Sequence, residues 1–302
     1  MDDFIYSAIV PVHNASETLS RCIESIVAQR NHPAEIIIYN DASTDNSRML
    51  IESIIESTPI PIKYIESGTN KGVSVARNSA ASLSEFDYFI FFDSDDSSAP
   101  FRAEEHLRLF KLGADLTYVS SNKFYSSQYE LPQINENFVG TLEYQKMFEK
   151  VFFGINNDSI PEYSIPASTL GVKSSVFNFL GGFDESLKRL EDVDLALKGS
   201  LAKITFGFSS TIAVTRYASN GDYKNEKNET FYKKRIISKY SNILGINATK
   251  LAILNASIHE AYFGRKFFKF FYLGFKSFLL KGQSLTKFKR LYGRVKHDFK
   301  KR

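Results

Sequence analysis

Three short segments carry side chains whose types and spacing can do chemistry. The most acidic is Asp93-Ser94-Asp95-Asp96, which directly follows the apolar run Tyr88-Phe89-Ile90-Phe91-Phe92. Like charges crowded at one point are costly unless a cation compensates them. Hard carboxylate oxygens suit Mg²⁺ or Mn²⁺, ions that also hold phosphate oxygens. The same residues also make a solvated turn with an aspartate cap for a helix beginning near Pro100, because Asp both forms turns and caps helices. Taken alone, the loop divides evenly between the two.

The second segment is Gly181-Gly182-Phe183-Asp184-Glu185, followed by Glu191-Asp192-Val193-Asp194-Leu195. Paired glycines allow close backbone approach or positive φ. Asp192 falls in the first turn of a helix carrying Leu195 and Leu197, where acids also stabilise the helix dipole by about 0.3–1 kcal/mol each. Capping alone accounts for these acids when they are taken in isolation. The third segment, Asn70-Lys71-Gly72 leading to Arg77-Asn78, is a glycine loop entering a helix, a ready anion site. Arg77, one turn inside, can reach a phosphate or pair with an acid as an ordinary surface arginine.

The elements that must position these residues follow from apolar periodicity. Residues 6–12 predict a strand ending at Pro11. Leu19, Cys22, Ile23, Ile26 and Val27 form an i, i+3, i+4, i+7, i+8 stripe, a helical face. Residues 35–39 predict a second strand, the turn-rich 40–47 a helix start, and Leu50, Ile51, Ile54 and Ile55 its buried face. Residues 61–65 predict a third strand and 73–83 a helix. The run 88–92 is apolar on both faces, as buried parallel strands are. Strands alternating with helices predict a doubly wound α/β sheet, whose ligands bind beyond the strands' carboxyl ends. The loops at Asn40-Asp41 and Asp93 both lie at such ends.

Composition narrows the class. With 43% hydrophobic and 24% charged residues, the 302-residue chain can bury a large α/β domain and an appendage. The one cysteine, Cys22, excludes an internal disulfide and sits on a core stripe, so it reads as a small buried hydrophobe. The start of the chain does not read as a secretory signal, and no run is long enough to span a membrane. A cytoplasmic setting is expected. Neither G-x-G-x-x-G after the first strand nor G-x-x-x-x-G-K-[ST] occurs, which disfavours a nicotinamide dehydrogenase or a P-loop NTPase.

In order, the blocks V-P-V-x-N, N-D-A-S-T-D, N-K-G-V-S-V-A-R-N, F-F-D-S-D-D, G-G-F-D-E and E-D-V-D-L resemble glycosyltransferase family 2 over residues 5–220. The resemblance implies a GT-A (Rossmann-like) fold: a mixed, mostly parallel sheet flanked by helices. It implies inverting transfer of a sugar from a nucleotide diphosphate donor, a UDP-sugar, to a glycan or lipid-linked acceptor in bacterial surface polysaccharide or lipopolysaccharide synthesis. Pro11, Val12 and Asn14 would then line the nucleotide pocket, Asp41 would read the uracil edge, and Gly72, Arg77 and Ser94 would lie near the donor. Asp93 and Asp95 match the D-x-D metal motif, with Mn²⁺ or Mg²⁺ on Asp95 above all. Gly181, Gly182 and Glu191 fall on the acceptor side, and Asp192 matches the catalytic base.

Three departures from the family pattern stand out. Asn40-Asp41-Ala42-Ser43 replaces two acids followed by Gly-Ser. Lys198 stands where an arginine often closes the acidic helix. Arg216-Tyr217-Ala218-Ser219 holds no histidine, so diphosphate and water are expected to complete the metal's coordination. A catalytically idle nucleotide-sugar-binding protein and a metal-dependent nucleotidyltransferase are the alternative readings.

Charge divides the chain. Residues 262–302 carry 13 Lys/Arg against the single acid Asp298, while residues 1–261 carry 25 Lys/Arg against 33 acids. A catalytic domain at 1–220 and a basic aromatic helical extension at 221–302 are expected. One projected face holds Phe267, Phe268, Phe270, Phe271, Phe275 and Phe278, with Arg265, Lys266, Lys269 and Lys276 largely opposite. A second holds Phe288, Leu291, Tyr292, Val295 and Phe299. Basic amphipathic helices of this kind suit an anionic membrane surface, or pack on the domain with their charges solvated. No nucleic acid is expected, for want of a recognisable reading motif. Residues 120–170, with Asn156-Asn157-Asp158 and Ser164 to Thr169, are expected to shape the acceptor side.

Overall fold

The computed structural model describes residues 4–125, 128–130, 137–153, 164–217, 226–263 and 266–280. The expectations for Asn156-Asn157-Asp158, for Ala218 and Ser219, for Arg265 and for the second aromatic face at 288–299 lie outside them. The chain divides into two compact units, residues 1–147 with 156–220, and residues 148–155 with 221–302.

The first unit is built on one sheet, whose strands among the described residues are β1 (Tyr6–Val12), β2 (Glu35–Asn40), β3 (Ile62–Glu66), β4 (Tyr88–Phe91), β5 (Ser97–Ser98), β6 (Leu116–Tyr125), β7 (Gln128–Glu130), β8 (Phe138–Thr141), β9 (Leu170–Lys173) and β10 (Thr205–Tyr217). The order is β3-β2-β1-β4-β9-β6-β10-β5, with β7 on β6 and β8 on β10. β3, β2, β1 and β4 are mutually parallel. β9 runs antiparallel between β4 and β6, and β10 returns to parallel pairing with β6. This is the mixed, mostly parallel sheet that the sequence leads one to expect.

Around it lie α1 (Leu19–Val27), α2 (Ser47–Ser57), α3 (Val73–Ala81), α4 (Arg102–Lys111), α6 (Ser174–Phe179) and α7 (Glu191–Leu201), while α5 (Tyr144–Phe153) runs from this unit's part of the chain into the second's. The α1 stripe is buried as its spacing requires: Leu19, Cys22, Ile23 and Ile26 pack with Ala8, Val10, Ile36 and Ile38 of the sheet. Burial pushes the Cys22 thiol well above its ordinary value, so it is a core residue and no nucleophile. β1, β2 and the inner part of β4 are buried on both faces. Phe89 meets Phe177 edge-on, and Phe91 packs tilted against Phe177 and edge-on against Phe183, giving that face an aromatic core.

Some bounds differ from the sequence expectation. β1 runs through Pro11 to Val12, because proline needs only its carbonyl at a ladder position. The helix expected over 73–83 ends at Ala81, and the one expected near Pro100 starts at Arg102.

The second unit is helical: α8 (Glu226–Lys239), α9 (Ser241–Leu244), α10 (Ile246–Phe263) and α11 (Phe267–Leu280). Ile236, Ile237, Ala252 and Ala261 are buried, and Lys234 pairs with Glu260 at 3.4 Å, linking α8 to α10. Asn255 Nδ2 donates to the Phe152 carbonyl at 2.8 Å. No described helix is long and apolar enough to cross a membrane.

Candidate active site

The candidate residues gather where β1, β2 and β4 end. Pro11 and Val12 pair with Tyr39 and Asn40 in the β1–β2 register, and the Asp41 N–H donates to the Val12 carbonyl at 2.8 Å. Asp41 is buried. Its Oδ1 accepts the Lys71 N–H at 2.8 Å and its Oδ2 the Gly72 N–H at 2.7 Å. One carboxylate thus closes the loop before α3 onto the end of β2. Gly72, at φ +94°, makes the turn that lets both N–H groups point the same way.

Asn14 ties the same corner together. It sits at φ +51°, its N–H donates to Ser43 Oγ at 2.9 Å, and its Oδ1 accepts the Thr44 N–H at 2.8 Å. His13 donates from Nδ1 to the Asp41 carbonyl at 2.8 Å and accepts Asn70 Nδ2 on Nε2 at 3.0 Å. That pattern fits the neutral Nδ1–H tautomer. Ala42 adopts φ +54°, the left-handed region that costs an L-residue about 1–2 kcal/mol. The glycine of the family pattern has its physical reason here.

Arg77 is the hub. Buried one turn into α3, it donates from Nη2 to Asp93 Oδ1 at 2.6 Å and from Nη1 to Glu191 Oε1 at 2.7 Å. Burial alone would lower its pKa, but Asp93 and Glu191 outweigh that and raise it, so it stays charged. It is therefore engaged by two carboxylates rather than free for a phosphate.

Asp93, Ser94 and Asp95 lie half-buried in a turn closed by the Asp96 N–H to the Asp93 carbonyl at 3.1 Å. One oxygen from each of Asp93, Asp95 and Asp96 lies within 4.8 Å of the others, so hard donors for a divalent ion are assembled. Asp96 is buried, and burial together with Asp93 and Asp95 pushes its carboxyl up to about 8. The turn is held from outside by Arg21, whose Nη2 donates to the Asp95 carbonyl at 2.6 Å while its guanidinium lies 3.8 Å from the Tyr217 ring centroid.

Asp192 opens α7 beside Glu191. Burial first, and the Glu191 charge second, raise its carboxyl to about 7, against the opposing pull of the Val193 N–H, Arg77 and Arg216. The residue ahead of this pair, Leu190, is itself left-handed at φ +63°. The Gly181-Gly182 turn is clamped from two sides. Asn78 donates from Nδ2 to the Phe183 carbonyl and accepts the Phe183 N–H, both at 2.9 Å, while Lys198 Nζ donates to the Gly182 carbonyl at 2.9 Å. A Cβ at Gly182 would fall 2.7 Å from Asn78 Oδ1, so the clamp requires glycine. Lys198 thus does its closing work through one carbonyl and a 3.6 Å pair with Asp194.

The structure brings Pro11, Val12, Asn14, Asp41 and Gly72 into one corner, and links Asp93 to Glu191 and the neighbouring Asp192 through Arg77. Gly181 and Gly182 stand behind α7, joined to it by Lys198. Sequence reasoning missed Arg21, Asn78, Asp96 as a third donor and Arg216. Asp96 was visible in the acidic run. Asn78 and Arg216 stood in segments already singled out but carried no sign of their partners, and Arg21 is a single polar residue with no spacing signal.

A parallel β3-β2-β1-β4 sheet carrying an acidic turn at the end of β4, followed by an antiparallel strand, is the architecture of the GT-A fold. The chain belongs to glycosyl transferase family 2, whose model matches residues 7–162. It is 26% identical over 196 residues to an uncharacterized glycosyltransferase of Haemophilus influenzae, covering 64% of this chain and 60% of that protein. It is 34% identical over 96 residues to the Escherichia coli UDP-Glc:alpha-D-GlcNAc-diphosphoundecaprenol beta-1,3-glucosyltransferase WfgD, covering 32% and 37%. The chain therefore spans less than two thirds of the length of these relatives. The fold matches the crystal structure of S. aureus TarS 1–349 in complex with UDP-GlcNAc at a TM-score of 0.64, with 15% identity, over 91% of this chain and 81% of that one.

Proposed function

We propose that this chain is an inverting glycosyltransferase that moves a sugar from a UDP-sugar to a glycan or lipid-linked acceptor in surface polysaccharide synthesis. The observation that carries the reading is the double ion pair of Arg77, which joins the acidic turn to the helix bearing Asp192. Donor-side and acceptor-side chemistry then share one rigid site.

In this reading Asp41 accepts from the uracil edge with oxygens already oriented by Lys71 and Gly72. Pro11, Val12 and Asn14 form the wall of that pocket. Asp192, lifted to about 7, takes the proton of the acceptor hydroxyl as that oxygen attacks the anomeric carbon and the nucleoside diphosphate departs. One base on one face yields inversion. Asp95, with Asp93 and Asp96 beside it, would hold Mn²⁺ or Mg²⁺, which when bound neutralises charge on diphosphate oxygens. Glu191 holds Arg77 and through it the acidic turn, while Gly181 and Gly182 support the acceptor side.

The second unit supports a peripheral setting at the cytoplasmic face of an anionic membrane. Phe268, Tyr272 and Lys276 are exposed at i, i+4, i+8 along α11, with Lys269 exposed beside Phe268.

The test is incubation with a panel of UDP-sugars and candidate lipid-linked acceptors, with assay of free UDP. Acceptor-dependent UDP release that Asp192→Asn lacks is expected. Binding without release would make the chain an idle binder, and release of pyrophosphate would make it a nucleotidyltransferase.

A further inference from the structure

Five carboxylates surround the site: Asp93, Asp95 and Asp96 on the acidic turn, Glu191 and Asp192 on α7. Four arginines among the described residues stand near them, and three are engaged. Buried Arg102 donates to the Phe91 carbonyl at 2.7 Å and to Ser98 Oγ at 3.0 Å. Arg77 gives one guanidinium nitrogen to Asp93 and another to Glu191. Arg21 donates to the Asp95 carbonyl and lies over Tyr217.

Arg216 is the fourth. It precedes Tyr217 on β10, whose N–H reaches Asp96 Oδ1 at 3.3 Å, so the end of this strand is laid against the acidic turn. Side chains alternate along a strand, which turns Arg216 to the face opposite the Tyr217 ring and its Arg21 contact. Its positive charge is felt at Asp96 of the turn and at Asp192 of α7, where it opposes the rise of both carboxyls. It is half-buried, and among the described residues no hydrogen bond or ion pair holds its guanidinium.

A cation set among acids yet hydrogen-bonded to none has donors to offer an incoming anion. The planar guanidinium fork matches phosphate oxygens in pairs. We propose that Arg216 binds the diphosphate of the nucleotide-sugar and, as the glycosidic bond to phosphate breaks, stabilises the charge left on the departing phosphate. This rests on the donor reading given above. It gives the chain a second positive charge at the diphosphate, carried by the protein itself, where Arg216-Tyr217 provides no histidine for a metal.

The test is calorimetric binding of UDP, UMP and uridine to wild type, Arg216→Gln and Arg216→Lys, each in excess chelator and again with Mn²⁺, alongside thermal melts. Arg216→Gln is expected to weaken UDP by about 10- to 100-fold in both buffers, the worth of a charged hydrogen bond. UMP should lose less, uridine should be unchanged, and lysine should restore part of the loss. Unchanged UDP affinity in Arg216→Gln, or an equal loss for UDP and uridine, would overturn the assignment and leave the donor reading standing. A wild-type protein blind to UDP in chelator and with Mn²⁺ alike would overturn both.

Discussion

Arg77 and Glu191, 114 positions apart in sequence, meet at 2.7 Å between Nη1 and Oε1 inside the protein. The other nitrogen of the same guanidinium holds Asp93. A cation buried between two acids is a structural commitment. Removing it strands the buried Glu191 carboxylate and leaves the half-buried Asp93 without its counter-charge, the costly half of breaking a buried ion pair.

Arg77→Met should therefore lower stability by about 3–5 kcal/mol, read as the shift in urea midpoint. Arg77→Lys should recover little, because one ammonium cannot place two donors in the fork that Asp93 and Glu191 require. A midpoint within error of wild type for Arg77→Met would mean that the pair contributes nothing to the fold.

Asp192 makes a prediction about pH in both activity and stability. A base works deprotonated, so kcat/KM should fall about tenfold per unit below about pH 7 and level off above it. Asp192→Asn should lose that limb together with about 10²–10⁴ of the rate. The folded pKa is raised above the ordinary value, so Asp192 favours the fold below about pH 4, and that advantage is lost as pH rises through about 7. Metal-free Asp192→Asn should then melt above wild type at pH 8 and near it at pH 4. A flat acid limb in the wild type would remove Asp192 from the role of base.

Ala42→Gly offers a gain. At φ +54° the alanine carries left-handed strain, and glycine removes it while adding unfolded-chain entropy. A net rise of about 0.5–1 kcal/mol is expected from denaturant melts. A loss would indicate that the Ala42 methyl packs usefully.

Metal and nucleotide should bind interdependently. With three clustered carboxylates of which Asp93 is already paired to Arg77, Mn²⁺ alone should bind weakly and UDP should tighten it, each raising the other's affinity by one factor. Asp95→Asn should abolish that coupling in titrations of Mn²⁺ with and without UDP. Full transfer activity in excess chelator would remove the metal from the mechanism.

For the membrane setting, flotation with vesicles containing anionic lipid should carry the intact chain. Phe268→Ser with Tyr272→Ser should reduce recovery several-fold, since the two rings are 89% and 65% exposed. Equal recovery with neutral vesicles would argue against charge attraction.

Much of the parallel half was legible in sequence because burial writes itself as periodicity. The α1 stripe from Leu19 to Val27 and the two-faced strand ending at Phe91 needed no tertiary information. β9 did not announce itself: Leu170–Lys173 is four residues long, and only its neighbours β4 and β6 show that it reverses direction. β10 hides its length behind register shifts between Ser209 and Val214, which break the alternation that would mark a strand. In the site, residue types were readable and pairings were not. Arg77 was visible as an arginine at the start of a helix, but nothing local to position 77 points to Glu191. Asn78, one residue on, carries no signal until the Gly181-Gly182 turn is folded against it.

The Asp41 carboxylate, fastened at both oxygens to the Lys71 and Gly72 N–H groups, divides donor capture into unequal halves. The corner that would meet the base is already folded and set, so a nucleoside arriving there has little loop entropy to quench. The acidic turn is the opposite: Asp93 is already paired to Arg77 and Asp96 keeps its proton up to about pH 8, so the donor set is completed only when further cations arrive. Uridine should thus be held by a socket and the diphosphate by an assembly. A ligand that lacks phosphates would report only on the first.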